Sequence, residues 1–119
     1  MPARPKVLIV EDEPAIRMIT RTVLSGAGYE VTEAESGVAA LAAVGAAGPF
    51  ALILLDLGLP GGDGATLLPE LRKRSPASRV LVVSGLTQDD VGDIGSDGFL
   101  GKPFTKAKLL DAVGKALGT

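Results

Sequence analysis

Five short apolar segments along the chain have the pattern of β-strands. Most are rich in Val, Ile and Leu and end at a polar residue or a glycine, as strands do. The third segment shows no polar alternation, which is typical of a strand buried on both faces. The pattern therefore predicts strands in a sheet that is covered on both sides, at Lys6–Val10, Tyr29–Ala34, Ala51–Leu55, Arg79–Val83 and Phe99–Gly101.

Stretches with helical spacing follow the first two strands. Pro14 marks the start of the first helix, with the acidic Glu13 before it as a cap, and glycines end the helix. An alanine-rich second helix is predicted over Gly37–Val44, stopping at Gly45. The residues of the first helix expected to face the core recur at helical intervals and are Ile16, Ile19, Val23 and Leu24.

Two later helices are marked by capping residues. Asp63 is expected to cap the third helix and Thr105 the last one. Between them, Thr87–Gly98 is rich in Asp and Gly, so we predict a helix of one or two turns there, or none. The expected core-facing leucines and valine are Leu67, Leu68 and Leu71 in the third helix and Leu109, Leu110, Val113 and Leu117 in the last.

Regular alternation of strands and helices predicts the fold class. Such a chain forms an α/β fold in which parallel strands lie between two layers of helices. The length of 119 residues fits one domain, and 46% apolar with 22% charged residues is typical of a globular protein.

Composition excludes several classes of function. The sequence contains no Cys and no His, which removes disulfides, thiol chemistry, Cys/His zinc sites and histidine-dependent triads. A net charge of −2 and few aromatic residues argue against nucleic-acid binding. The longest apolar run, Phe50–Leu55, is too short to cross a membrane, and no secretory signal is visible, so a cytoplasmic location without membrane contact is expected.

Polar residues stand where four of the predicted strands end. Glu11 and Asp12 follow the first strand, and Asp56, Ser84 and Lys102 follow the third, fourth and fifth. Ligands of such sheets bind beyond the carboxyl ends of the strands, so we expect these side chains to meet. Two carboxylates 4 Å apart repel by roughly 4 kcal/mol at an effective dielectric constant of 20. A cation must therefore be present, and Lys102 and Mg²⁺ are the candidates.

Each of these residues also has an ordinary structural explanation. Acidic residues before Pro14 are typical of a helix cap, and Asp56 before Gly and Pro is typical of a turn. Ser84 alone fits a turn hydroxyl, and Lys102 alone fits a solvated amine. Their convergence on one sheet edge favours a shared site.

Four segments, taken together, resemble the receiver domain of two-component response regulators. They are Val7–Pro14, Leu54–Gly64, Val82–Gly85 and Gly101–Phe104, in the order found in that family. The resemblance implies a flavodoxin-like, doubly wound sheet of five parallel strands in the order 2-1-3-4-5. The short distance from strand four to strand five implies a shortened fourth helix. Residues 1–119 would form a single receiver domain with no output domain.

The resemblance also assigns roles at the acidic edge. Asp56 would be the phosphoacceptor, and Lys102 would pair with the phosphoryl group. Glu11, Asp12 and Asp56 would hold Mg²⁺, with the backbone carbonyl of Gly58 as a further ligand.

Two further residues would form the switch. The Ser84 hydroxyl would move to bond the phosphoryl group, and the Phe99 ring would fill the space it leaves. The Lys102–Pro103 bond would be cis.

Without a histidine, the chain needs a phosphohistidine donor on another protein or domain. The expected partners are therefore a histidine kinase or histidine phosphotransfer protein and a downstream protein target, and the expected state is a monomer or weak dimer. The chain would catalyse only its own phosphorylation and dephosphorylation, most simply as a stand-alone receiver.

Two alternatives are a receiver cut from a hybrid histidine kinase and a phosphatase with an Asp nucleophile. Phosphatases of that type resemble haloacid dehalogenases and have a second Asp two residues after the first, where this chain has Gly58. Flavin binding is disfavoured because three acids occupy the loop where its phosphate would bind, and dinucleotide binding because that loop lacks the G-x-G-x-x-G motif.

Overall fold

The strands of the computed structural model form one parallel sheet. The structure describes residues 4–59, 64–87 and 95–118. The strand order is 2-1-3-4-5, and all four neighbouring pairs are parallel. The strands are β1 (Lys6–Val10), β2 (Glu30–Ala34), β3 (Leu52–Asp56), β4 (Arg79–Ser84) and β5 (Gly98–Gly101). The predicted fold class and strand order are confirmed.

Two pairs of helices cover the two faces of this sheet. Within the described residues the helices are α1 (Pro14–Gly26), α2 (Gly37–Ala47), α3 (Gly64–Arg74) and α4 (Lys106–Leu117). Along β1, Val7 and Ile9 pack in the cluster that contains residues of α1 and α4, whereas Leu8 and Val10 pack in the cluster that contains residues of α2 and α3. Both faces of the central strands are therefore buried, which explains why their sequences do not alternate.

The predicted core face of α1 is partly wrong. Leu24 is buried, but Ile19 is 55% exposed and Thr20 is buried in its place. The Thr20 hydroxyl donates to the Ile16 carbonyl oxygen at 2.8 Å, so this polar group is satisfied within the helix and can face the core. The buried face of α1 thus differs from the predicted one at this position, whereas Ile16, Val23 and Leu24 remain at least half-buried.

Two details of the predicted helix ends are also wrong. Glu13 occupies the N-cap position of α1, but its side chain makes no capping hydrogen bond. Helix α2 continues past Gly45 to Ala47. A helical Gly costs about 1 kcal/mol relative to Ala, and the surrounding alanines favour the helix enough to carry it through.

Other ends agree with the sequence prediction. The Thr105 hydroxyl accepts a hydrogen bond from Lys108 N at 3.2 Å and caps α4. The Lys102–Pro103 bond is cis, as predicted.

The predicted cap Asp63 and most of Thr87–Gly98, where the shortened helix is expected, lie outside the described residues. No helix in the described ranges has the length and apolar character needed to cross a bilayer.

Candidate functional site

The carboxyl edge of the sheet places four polar side chains side by side. Asp56 and Ser84 are the last residues of β3 and β4, while Glu11 and Lys102 directly follow β1 and β5. Glu11, Asp56 and Ser84 are each at most 5% exposed. Buried polar groups at adjacent strand ends mark this edge as the candidate site.

Three carboxylates converge there, and the ammonium group of Lys102 contacts two of them. Oxygen atoms of Glu11, Asp12 and Asp56 all lie within 4.8 Å of one another. Lys102 Nζ lies 2.6 Å from Glu11 Oε1 and 3.2 Å from Asp56 Oδ2. The structure therefore brings together the residues that the sequence predicts to meet.

The backbone holds the second oxygen of each buried carboxylate. Gly58 N donates to Asp56 Oδ1 at 3.0 Å, and Glu13 N donates to Glu11 Oε2 at 3.2 Å. Asp56 thus serves as a turn residue and also faces Lys102. A Cβ atom on Gly58 would lie in ordinary van der Waals contact with Asp56 Oδ1, at 3.4 Å. The role of the Gly58 carbonyl oxygen as a further Mg²⁺ ligand stays a prediction.

Burial and neighbouring charges together raise the pKa of both partners in the Glu11–Lys102 ion pair. Desolvation, together with the nearby Asp56, raises the pKa of Glu11 to about 7, although its hydrogen bond to Lys102 acts in the opposite direction. Burial by itself would lower the pKa of Lys102, but the bond to Glu11 and the charge of Asp56 outweigh it and raise this pKa above its usual value. The ammonium group therefore stays charged, and the carboxylates outnumber it.

This donor set suits a hard divalent cation. Carboxylate oxygens are among the ligands that Mg²⁺ prefers. Glu11, Asp12 and Asp56 each offer one such oxygen. A divalent ion would offset the excess negative charge that Lys102 leaves uncompensated.

The two predicted switch residues lie on the side of β4 and β5. The Ser84 hydroxyl accepts a hydrogen bond from Leu86 N at 3.0 Å, and the Ser84 carbonyl oxygen accepts one from Lys102 N at 2.7 Å. Phe99 is half-buried and packs against the core cluster that contains Val80 and Val82. The structure places Ser84 beside Lys102 and Phe99 on the neighbouring strand.

Arg17 and Glu33 lie close to the site and were missed by the sequence analysis. Arg17 Nη1 donates to the Glu11 carbonyl oxygen at 2.9 Å, and Arg17 Nε lies 3.3 Å from Glu33 Oε1. A cation in the first turn of a helix is unfavourable because that end of the helix dipole is positive. An arginine four residues after Glu13 was therefore a signal that it has a partner outside the helix.

A family model described as "Response regulator receiver domain" matches residues 7–114. The chain belongs to this family. The family predicted from the four sequence segments is thus confirmed, and the protein is a receiver domain of two-component phosphorelay signalling.

Curated relatives of this receiver domain differ in how much of their length it covers. It is 45% identical over 107 residues to the KDP operon transcriptional regulatory protein KdpE of Escherichia coli, covering 87% of this chain and 47% of KdpE. It is 40% identical to the sensor kinase CckA of Brucella abortus, covering 93% of this chain and 12% of CckA. It is 32% identical to the chemotaxis protein CheY of Bacillus subtilis, covering 94% of this chain and 97% of CheY. The chain therefore spans about half or less of the first two relatives.

Solved structures share the fold over nearly the whole receiver domain. A CheY-like receiver domain protein from Methanospirillum hungatei superposes with a TM-score of 0.86 at 30% identity, covering 97% of this chain and 94% of that one. The response regulator TrrA from Thermotoga maritima, in complex with Mg²⁺-BeF, gives a TM-score of 0.83 at 28% identity, covering 94% and 98%.

Proposed function

We propose that this receiver domain takes a phosphoryl group onto Asp56 from a phosphohistidine of a partner protein, with Mg²⁺ bound at the acidic edge. The observation that carries the proposal is the position of Lys102, whose ammonium group contacts both Glu11 and Asp56 inside the carboxylate cluster. The family membership and the Mg²⁺-BeF complex of the relative TrrA support it.

Of the two Asp56 oxygens, Oδ2 is the one suited to act as the nucleophile. Oδ1 is bonded to Gly58 N, which fixes the carboxylate, while Oδ2 faces Lys102. In the transfer, a carboxylate oxygen forms a bond to phosphorus as the phosphorus–nitrogen bond breaks, and the histidine nitrogen leaves with that electron pair. The product is an aspartyl phosphate, which the domain later hydrolyses.

Charge at the site favours this transfer. Lys102 remains an ammonium group and can pair with a phosphoryl oxygen as negative charge moves onto Asp56. Glu11, Asp12 and Asp56 would hold Mg²⁺, with the carbonyl of Gly58 as a further ligand. The metal, when bound, supplies electrostatic stabilisation of the transferring group.

Ser84 and Phe99 would report the modified state. The Ser84 hydroxyl accepts a bond from Leu86 N, which leaves its hydrogen free to be donated to a phosphoryl oxygen. We expect this bond to pull the loop after β4 towards Asp56 and to change the position of the half-buried Phe99 ring. The altered surface would then bind a downstream protein.

An apolar groove beside Lys102 supports a protein as the donor. The groove has a volume of about 350 Å³ and is lined by Ile16, Ile19, Lys102, Pro103 and Phe104. Because Lys102 reaches Asp56 from this groove, a partner that fills it brings its own phosphohistidine next to the acceptor. A histidine kinase or a histidine phosphotransfer protein has the required chemistry.

The direct test uses the full chain with MgCl₂ and acetyl phosphate. We expect intact-mass spectrometry to find one added phosphoryl group and peptide mapping to place it on Asp56. Asp56→Asn should remove it. The matched control Asp111→Asn changes an exposed carboxylate on α4 and should leave it in place.

Two outcomes would contradict the proposal. A phosphoryl group that persists in Asp56→Asn would place the acceptor elsewhere. Continuous hydrolysis of many equivalents of a phosphate monoester, as opposed to the acyl phosphate used as donor, would instead favour the phosphatase alternative.

A further inference from the structure

Arg17 holds the acidic loop from outside the carboxylate cluster. Its Nη1 donates to the Glu11 carbonyl oxygen at 2.9 Å and has a longer contact of 3.4 Å with the Asp12 carbonyl oxygen. The side chain is only 18% exposed. Arg17 therefore contacts the backbone of two residues whose side chains belong to the cluster.

These contacts fix the backbone that carries the Asp12 side chain. Glu11 N donates to the Ala34 carbonyl oxygen of β2 at 3.0 Å, and Arg17 fixes the carbonyl end of the same residue. The Glu11 carbonyl lies in the same rigid plane as the nitrogen and Cα of Asp12. Fixing that plane fixes the point from which the Asp12 carboxylate extends into the cluster.

Glu33 on β2 keeps Arg17 in place. Glu33 Oε1 lies 3.3 Å from Arg17 Nε, and Glu33 Oε2 lies 3.6 Å from Arg21 Nε one turn further along α1. Arg21 is 59% exposed, whereas Arg17 is 18% exposed. The two arginines thus share one carboxylate, and Arg17 also contacts the acidic loop.

We propose that Arg17, oriented by Glu33, is a positioning residue for the Mg²⁺ ligands, because it fixes the backbone that carries Glu11 and Asp12. This inference rests on the proposed function, since it assumes that the cluster binds Mg²⁺. The residue acts through the ligands and does not touch the metal or the phosphoryl group.

Replacing Arg17 should weaken Mg²⁺ binding if the residue positions the ligands, and should tighten it if only its charge matters. Removing a positive charge near a cation site makes cation binding tighter if charge alone matters. Removing the bond that holds the ligand loop makes binding weaker, because the ligands must be ordered when the metal binds. Arg17 and Arg21 carry the same charge on the same helix, so the pair forms a matched comparison.

The test is titration calorimetry of the full chain with MgCl₂, in the absence of a phosphodonor. We expect Arg17→Met to weaken Mg²⁺ binding roughly tenfold, at the lower end of the range for residues that orient metal ligands. Arg21→Met should leave the affinity unchanged or slightly tighter. Arg17→Lys keeps the charge but loses the planar fork, and should fall between wild type and Arg17→Met.

A second readout distinguishes positioning from general damage to the fold. Phosphorylation by acetyl phosphate should need more Mg²⁺ for its half-maximal rate in Arg17→Met, while the maximal rate stays close to that of wild type. Asp56 and Lys102 are unchanged in this variant, so a loss confined to the maximal rate would overturn the inference.

The remaining outcomes test the Arg17 inference and the proposed function separately. Mg²⁺ binding by Arg17→Met or Arg17→Lys that is as tight as in wild type overturns the inference, and Arg17→Lys alone decides if Arg17→Met fails to fold. If wild type itself binds no Mg²⁺, or takes no phosphoryl group onto Asp56, the proposed function fails. Wild-type binding with an unaffected Arg17→Met overturns the Arg17 inference alone.

Discussion

The two carboxylate oxygens of Asp56 have different partners. Oδ1 closes the turn after β3 through Gly58 N, and Oδ2 faces the Lys102 ammonium group. The same division holds for Glu11, whose Oε2 accepts from Glu13 N while Oε1 contacts Lys102. Each buried carboxylate is thus fixed by the backbone on one side and presented to a cation on the other. This arrangement keeps the oxygens that face Lys102 oriented before any ligand arrives.

A prediction at this scale concerns Lys102. In Lys102→Met we expect phosphorylation of Asp56 by acetyl phosphate to slow roughly a hundredfold, as when one stabilising donor is removed from an active site. Mg²⁺ should bind more tightly, because the ammonium group no longer competes for Glu11 and Asp56. Rapid-quench kinetics and calorimetry measure the two effects.

Lys108→Met is the matched control for Lys102→Met, since Lys108 is an exposed lysine on α4. It should change neither the rate nor the affinity. Weaker Mg²⁺ binding in Lys102→Met would contradict the competition between the two cations.

At the scale of elements, side chains fix the position of the edge strand β5. Asp97 precedes β5, and its Oδ2 accepts from Val80 N of β4 at 2.8 Å and lies 2.9 Å from Arg72 Nη2 of α3. The Asp97 nitrogen donates back to the Val80 carbonyl oxygen at 2.8 Å. One residue therefore joins the start of β5 to β4 and α3. Since Lys102 directly follows β5, this junction also determines where its ammonium group lies.

We expect Asp97→Ala to destabilise the fold by about 1–3 kcal/mol, because it leaves the buried Val80 N–H without its acceptor. Asp97→Asn keeps an acceptor and should cost less. Urea unfolding at equilibrium measures both.

The exposed pair between Asp111 and Lys115 on α4 provides the comparison for Asp97. Asp111→Ala should change stability by less than about 1 kcal/mol, as is usual for exposed ion pairs. An equal loss in Asp97→Ala and Asp111→Ala would show that the bond to Val80 N contributes nothing.

At the scale of the whole molecule, the apolar cores and the acidic cluster occupy different parts of the sheet. Two apolar clusters, one on each face, hold the helices against the strands, whereas the acidic residues collect at one edge. The cluster of like charges opposes folding, and the two cores must offset it. A cation that binds this edge should therefore stabilise the entire fold.

We predict that MgCl₂ raises the unfolding free energy of the wild-type chain, by about 2.7 kcal/mol at a hundredfold excess over its Kd. Thermal unfolding in MgCl₂ and in NaCl of equal ionic strength gives the comparison, and EDTA should reverse the gain. Asp12→Asn should lose most of the gain because it removes one carboxylate of the cluster.

Glu30→Gln is the control for Asp12→Asn, as it removes an exposed carboxylate at the start of β2. It should keep the full stabilisation by MgCl₂. Equal stabilisation of wild type and Asp12→Asn would mean that the metal binds away from the acidic edge.

The sequence alone predicted the fold class and the residues that meet at the carboxyl edge of the sheet. Apolar segments such as Ala51–Leu55 and the polar residues after them are local patterns, and local patterns suffice to give strand positions and strand ends. Parallel strands carry their carboxyl ends to one edge, so the meeting of Asp12, Asp56 and Lys102 follows from topology. Thr105 as a helix cap is likewise local, because the hydroxyl and its partner lie three residues apart.

Only the tertiary structure decided which faces are buried and which distant groups meet. Ile19 is exposed and Thr20 buried because the rotation of α1 depends on how it packs against the sheet, and the hydroxyl is satisfied inside the helix. The pairing of Arg17 with Glu33 joins a helix to a strand on the far side of a loop, and spacing in the sequence does not encode such a contact. Local patterns fix which residues form each element, whereas packing of the elements fixes what each side chain touches.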